Sequence, residues 1–181
     1  MKLHIKFIVI ILGCLMATGG YAQIVVREGS KVVIDASALP NSTRVKKATG
    51  TDGTDKTLGT NDASNLGSNV SNKEVYYRFE VSPFDNNGPA PWHQMLFHCK
   101  NLVLNGTGWR LPTVRELILI YLLKRELAAV PGFTALYDYN RYWSATEESA
   151  EYAHVVSFRE RRLTVSQKYS APGHTRCIRD L

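Results

Sequence analysis

The chain has 181 residues, 44% of them hydrophobic and 21% charged, with a formal net charge of +6. That is enough apolar chain for one globular domain with extra length at the front, and it excludes a low-complexity or wholly disordered protein. The mild positive balance does not point to nucleic acid as a partner.

The first residues differ in kind from the rest. Lys2 and Lys6 flank a short basic start, Phe7 to Leu12 is wholly apolar, and small residues follow up to Gly20-Tyr21-Ala22. This order reads as a secretory signal peptide over residues 1–22, with cleavage after Ala22. The apolar run is far shorter than the ~20 residues of a membrane span. The sequence Ile11-Leu12-Gly13-Cys14 also has the form of a lipoprotein box, which makes Cys14 a candidate lipidation site. The conventional site downstream favours release over tethering. Either route predicts a periplasmic, outer-membrane-surface or extracellular location. Cleavage would remove Lys2 and Lys6, lowering the formal charge from +6 to +4.

Residues 24–27 and 31–34 read as two β runs around a turn at Gly29, an N-terminal hairpin. From Pro40 to Asn72 the chain is dominated by polar residues and Gly without an apolar period, as in a long loop or linker. Asp52, Asp55 and Asp62 lack the spacing of an EF-hand loop. The expected organisation is therefore a leader, a hairpin with polar linker over 23–72, and a main domain over 73–181.

Val75 to Val81 is rich in β-formers and predicts a core strand. Trp92, Met95, Leu96, Cys99 and Leu102 then fall on one face of an amphipathic helix, leaving His93, Gln94 and Lys100 to solvent. A second helix starts in Gly108-Trp109-Arg110-Leu111-Pro112-Thr113-Val114-Arg115-Glu116-Leu117. Thr113 and Glu116 stand at capping-box spacing, and Pro112 fixes the entry of the chain. Leu117 to Leu123 is continuously apolar, which predicts burial on more than one side, and Pro131-Gly132 ends the helix. Short strands follow over 142–146, 153–158, 163–168 and 175–178. Two helices and an antiparallel meander make an α+β domain.

Setting Cys14 aside leaves Cys99 and Cys177, separated by 78 residues. A disulfide and a pair of buried thiols are the two readings; export favours the bridge, worth about 4 kcal/mol in the chain-entropy view. Trp92, Trp109 and Trp143 read as core residues, and Arg110 as a partner of a carboxylate such as Glu116 or Asp180.

These segments, with Tyr142-Trp143-Ser144-Ala145-Thr146-Glu147 and the terminal Arg176-Cys177-Ile178-Arg179-Asp180, resemble the Bacteroidetes major paralogous domain. They are also similar to the C-terminal adhesin domain of bacterial collagen-like proteins, both in the C-type-lectin-like group. The resemblance spans Val75 to Leu181. It implies a C-type-lectin-like domain, a Cys99–Cys177 bridge, and an exported surface or fimbrial protein that binds glycans or other proteins. The Glu-Pro-Asn, Gln-Pro-Asp and Trp-Asn-Asp tripeptides of calcium-dependent lectins do not occur, so sugar binding through calcium loses its support.

Two candidate ligand surfaces stand out. Arg159, Arg161, Arg162, Lys168, Arg176 and Arg179 face only Glu160 within their stretch, a basic hairpin suited to sulfated or carboxylated glycans. Charge that guards an exposed strand edge is the plainer reading. The loop Tyr137-Asp138-Tyr139-Asn140-Arg141 sets aromatic faces beside polar tips, as sugar-stacking loops do; a turn with partly buried tyrosines is the alternative. Tyr137, Tyr139, Asn140 and Arg141 are its candidate contacts.

Catalysis has little support. His98 adjoins Cys99, but neighbours on a helix point about 100° apart. Ser144 lacks a nucleophile elbow, and His93, His98, His154 and His174 show no zinc spacing. The expectation is a non-catalytic binding module with no cofactor or metal, or else an assembly subunit of a fimbria-like surface complex.

Overall fold

The computed structural model describes residues 24–39, 42–43, 48–49, 55–56, 75–138, 140–149 and 151–181. The leader, Cys14 and Tyr139 lie outside the described residues, as do Asp52 and Asp62.

In chain order the strands and helices are Val25–Glu28 (β1), Lys31–Asp35 (β2), Ser42–Thr43 (β3), Ala48–Thr49 (β4), Asp55–Lys56 (β5), Val75–Tyr76 (β6) and Arg78–Val81 (β7). Then come Trp92–Asn101 (α1), Trp109–Arg110 (β8), Val114–Leu122 (α2), Lys124–Ala128 (α3), Arg141–Glu147 (β9), Tyr152–Ser157 (β10), Arg162–Gln167 (β11) and Ile178–Asp180 (β12). The architecture is α+β, built mostly from antiparallel strands with few helices.

A five-stranded sheet runs in the order β1-β2-β7-β12-β8, and a three-stranded sheet in the order β11-β10-β9. The hairpin turns at Gly29, whose φ of 61° suits a residue without Cβ. It is a working part of the larger sheet: β2 pairs with β7 from Val32↔Val81 to Asp35↔Arg78. Alternation explains the fit, since Val32 and Ile34 point into the same apolar cluster as Phe79 and Val81. The short β3 pairs parallel with β6, and β4 antiparallel with β5.

Two cores lie on opposite faces of the three-stranded sheet. Tyr142, Val156 and Phe158 pack with Val114, Leu117 and Ile120 of α2 and with the larger sheet. Trp143, Ala145, Ala153 and Val155 pack with Trp92, Met95, Leu96, Cys99, Trp109 and Cys177. Strand period two delivers neighbouring residues to different cores. A disulfide joins Cys99 on α1 to Cys177 just before β12, with Cα atoms 5.5 Å apart.

The buried face of α1 falls where apolar spacing puts it. On α1, Trp92, Met95, Leu96 and Cys99 are buried while His93, Gln94 and Lys100 are exposed. The capping box of α2 is complete: Glu116 N–H donates to Thr113 Oγ1 at 3.2 Å, and Thr113 N–H to Glu116 Oε2 at 2.8 Å. The second helix departs from expectation in two ways. It breaks at Leu123 into α2 and α3, and Leu122 is 67% exposed. Lys124 stands seven residues after Leu117, so an unbroken helix would aim it inward; beyond the break its ammonium pairs with Asp138. Among the described residues no helix is long and apolar enough to cross a membrane.

Candidate functional site

The segments with the strongest sequence signature form an internal polar framework. Arg110 is buried and forks onto Glu116, with Nη1 to Oε2 at 2.8 Å and Nη2 to Oε1 at 2.9 Å. Its other edge meets Asp180, Nη2 to Oδ1 at 2.6 Å. Glu116 Oε1 also accepts from the Tyr76 amide at 2.8 Å, so one carboxylate joins β6, β8 and α2. Burial acts to lower the Arg110 pKa, but Glu116 and Asp180 outweigh it and hold the guanidinium above its ordinary value.

The terminal Arg-Cys-Ile-Arg-Asp run is spent in the same way. Arg176 donates to Asp85 at 2.6 Å and to the carbonyls of Ser82 and Thr134, and its guanidinium lies 4.7 Å from the centre of the Phe133 ring. Arg179 pairs with Glu80, donates to Asn105 O at 2.8 Å, and lies over Trp109. Ile178 is core, Cys177 is bridged, and Asp180 serves Arg110. Lys168 is fully buried as well, bound to Glu147 at 2.7 Å and set over the Trp92 ring. Three of the six cations in the expected basic stretch therefore point inward, each onto a carboxylate that sequence distance hid.

Arg159, Arg161 and Arg162 are exposed and sit on the turn between β10 and β11 and at its end. Arg162 also pairs with Glu160 at 3.0 Å. Arg161 has a φ of 53°, in the left-handed region that residues with a Cβ seldom enter.

The tyrosine loop comes to the same end of the sheet. Ser157 faces Arg141 on β9 and Arg162 on β11, so the two arginines flank one serine on a common sheet face. Phe158 N–H donates to Asn140 O at 3.2 Å, tying the loop to the turn. Tyr137 is 58% exposed, Asn140 is partly buried and Arg141 is exposed. The end of α2 arrives there too, with Tyr121 4.7 Å from Phe158 and Lys124 paired with Asp138. That end of the sheet carries exposed Arg141, Arg159, Arg161 and Arg162, with Tyr137 in the loop that Tyr142 holds from the opposite face. Sequence reading had the loop and the turn as separate surfaces; strand pairing joins them.

Tyr142 anchors the loop from beneath. Its hydroxyl accepts from the Tyr137 amide at 3.1 Å and donates to Asp85 at 2.6 Å. Burial and the Asp85 charge raise its pKa, which keeps the proton needed for that donation.

A concavity lies on the solvent side of α1. It has a volume of about 550 Å³ and is lined by His93, Gln94, Phe97, His98, Asn101, Leu102 and Val103. Phe97 is 66% and Val103 75% exposed. The available signal was an aromatic residue on the polar face of the helix. Burial lowers the His98 pKa. Among the described residues no group of three or more His, Cys, Asp or Glu is clustered as metal ligands would be.

No curated protein matches the chain. The family model of the Lcl C-terminal domain matches residues 60–179, from ahead of β6 to within β12, and so takes in Arg110 and Glu116, the disulfide and the basic end of the sheet. This chain belongs to the family of the Lcl C-terminal domain.

Proposed function

We propose that this chain is an exported, non-catalytic module of the C-type-lectin-like group that acts at the cell surface and binds anionic glycans without calcium. The likeness to the Bacteroidetes major paralogous domain belongs to this reading, as do the leader over residues 1–22 and membership of the Lcl C-terminal domain family. The observation that carries it is the convergence of Arg141 and the Arg159–Arg162 turn around Ser157, at the sheet end reached by the loop that holds exposed Tyr137. Guanidinium groups bind sulfate and carboxylate with charge-assisted, two-point geometry, and an exposed ring adds contact to sugar C–H faces. Tyr139 and Asn140 complete the contact set proposed for the loop. Cys14 is the lipid attachment point if the lipoprotein box is used.

The test is binding to immobilised sulfated polysaccharide across a salt series, with and without chelator. Binding should weaken as salt rises and ignore the chelator. Replacing Arg159, Arg161 and Arg162 together by Ser should weaken it about tenfold, from three exposed charge contacts of about 0.5 kcal/mol each. Undiminished binding by the triple variant would remove the site.

A second reading is a structural subunit of a fimbria-like complex. The outer strands β1 and β11 support it, because an edge can accept a strand from a neighbour. A chain that binds no glycan yet joins a surface complex would move the assignment there.

A further inference from the structure

The two main sheets have four edges, and three of them are short or covered. β1 is four residues long and carries Arg27 and Glu28, while β8 has two residues. The outer side of β9 is covered: Trp143 N–H donates to His174 O at 2.9 Å, and Ala145 N–H to Pro112 O at 2.7 Å. β11 is different. It is six residues long, pairs with β10 without a register shift, and contains no proline. Arg162 is its one charged residue, at the very start. Leu163 and Val165 are 47% and 41% exposed on the same face. Among the described residues no strand pairs with its outer side. Proteins normally blunt such an edge with lysines, proline, a bulge or a cover.

We propose that β11 pairs antiparallel with β11 of a second copy of this chain, about a two-fold axis through Thr164, to make one six-stranded sheet. The argument for a second copy is register. A two-fold axis normal to the sheet keeps each face continuous only if the residues facing each other are an even number apart. Centred on Thr164, Leu163 faces Val165 of the second copy, and the symmetry repeats the pair. Four aliphatic side chains then close over one another on one face. On the other face Thr164 meets Thr164 and Arg162 meets Ser166, so no like charges oppose. Centring on Val165 would set Leu163 against Gln167 and lose the apolar match. The contact is isologous and closes at two copies, unlike the open chain of a filament. It does not depend on the glycan reading.

Sedimentation of the purified chain should show a concentration-dependent monomer–dimer equilibrium. Val165→Lys should be monomeric throughout and should melt at the temperature of the wild-type chain diluted to monomer. Thr164→Cys, in a Cys14→Ser background, should form a disulfide-linked dimer without reductant. Facing Cα atoms in an antiparallel pair are about 4.5–5.5 Å apart, within reach of a disulfide. The cross-link also reports on the edge independently if Val165→Lys melts early. A chain that stays monomeric to submillimolar concentration, a dimer that survives Val165→Lys, or a Thr164→Cys variant that does not cross-link would each overturn the proposal.

Discussion

Arg110 and Glu116 meet as a two-point pair in the interior, six residues apart in sequence but on different elements, β8 and α2. The carboxylate at the same time caps its own helix at Thr113 and takes the amide of Tyr76. Losing the negative charge leaves a buried guanidinium with Asp180 alone. Glu116→Gln should therefore destabilise the chain by about 3 kcal/mol, seen as a lower urea midpoint with an unchanged slope. Arg110→Lys keeps the charge yet loses the fork, so a clear loss is expected there as well. A midpoint within error of wild type for both would contradict this account.

Gly173 lies against the buried ring of Trp143. A Cβ there would stand 2.7 Å from Nε1 and 2.9 Å from Cδ1 of the indole. That nitrogen donates to Ala90 O at 3.0 Å, and Ala90 exchanges two backbone hydrogen bonds with Gly173, so the ring has little room to yield. Gly173→Ala should cost about 1–3 kcal/mol through overpacking. Near-ultraviolet circular dichroism would show whether the indole environment loosens with it.

Stability should also depend on pH through His98 and His174. Burial lowers both pKa values, with Asp85 partly opposing the shift at His174. The unfolded chain then binds more protons than the folded one over this range. Stability is full above the unfolded value near 6.5, and falls as pH drops through that value towards the lower folded ones. Melting temperature should decline from pH 8 to pH 5, as the two imidazoles take up protons more readily in the unfolded chain. The double variant His98→Gln, His174→Gln should flatten that slope; an equal slope would assign it to other groups.

Arg161 offers a way to separate binding from folding. Its left-handed backbone costs about 1 kcal/mol that glycine does not incur, partly offset by the greater freedom of an unfolded glycine. Arg161→Gly should leave stability equal or up to about 1 kcal/mol higher. Affinity for sulfated polysaccharide should fall about two- to fivefold, the worth of one exposed charge contact. Weakened binding together with lost stability would point to a structural role for the turn.

The position of the N-terminal hairpin bears on the assembly reading. Deleting residues 23–34 would remove most of β2, the hydrogen-bonded neighbour of β7, and with it Val32 and Ile34 from the core. Such a deletion would test folding as much as assembly. Charge substitutions on β1 at Val26, which is only partly buried, are the cleaner probe.

Local patterns in the sequence determined much of this protein. The 3–4 spacing of Trp92, Met95, Leu96 and Cys99 specified the buried face of α1, and Thr113 with Glu116 specified the start of α2. Alternation located β9, β10 and β11 to within a residue at each end, because each signal lies inside one element; the strand expected over 175–178 forms instead over Ile178–Asp180, in the larger sheet. What only the tertiary structure decided was the fate of the charges and the union of the surfaces. Nothing near Arg176 or Lys168 in sequence announces Asp85, 91 residues away, or Glu147, 21 residues away. Solvent exposure of a cation depends on whether the fold brings it a carboxylate, since burying a lone charge is prohibitive. In the same way, Arg141 and Arg162 share a face because both strands pair with Ser157, a register that only the folded sheet fixes.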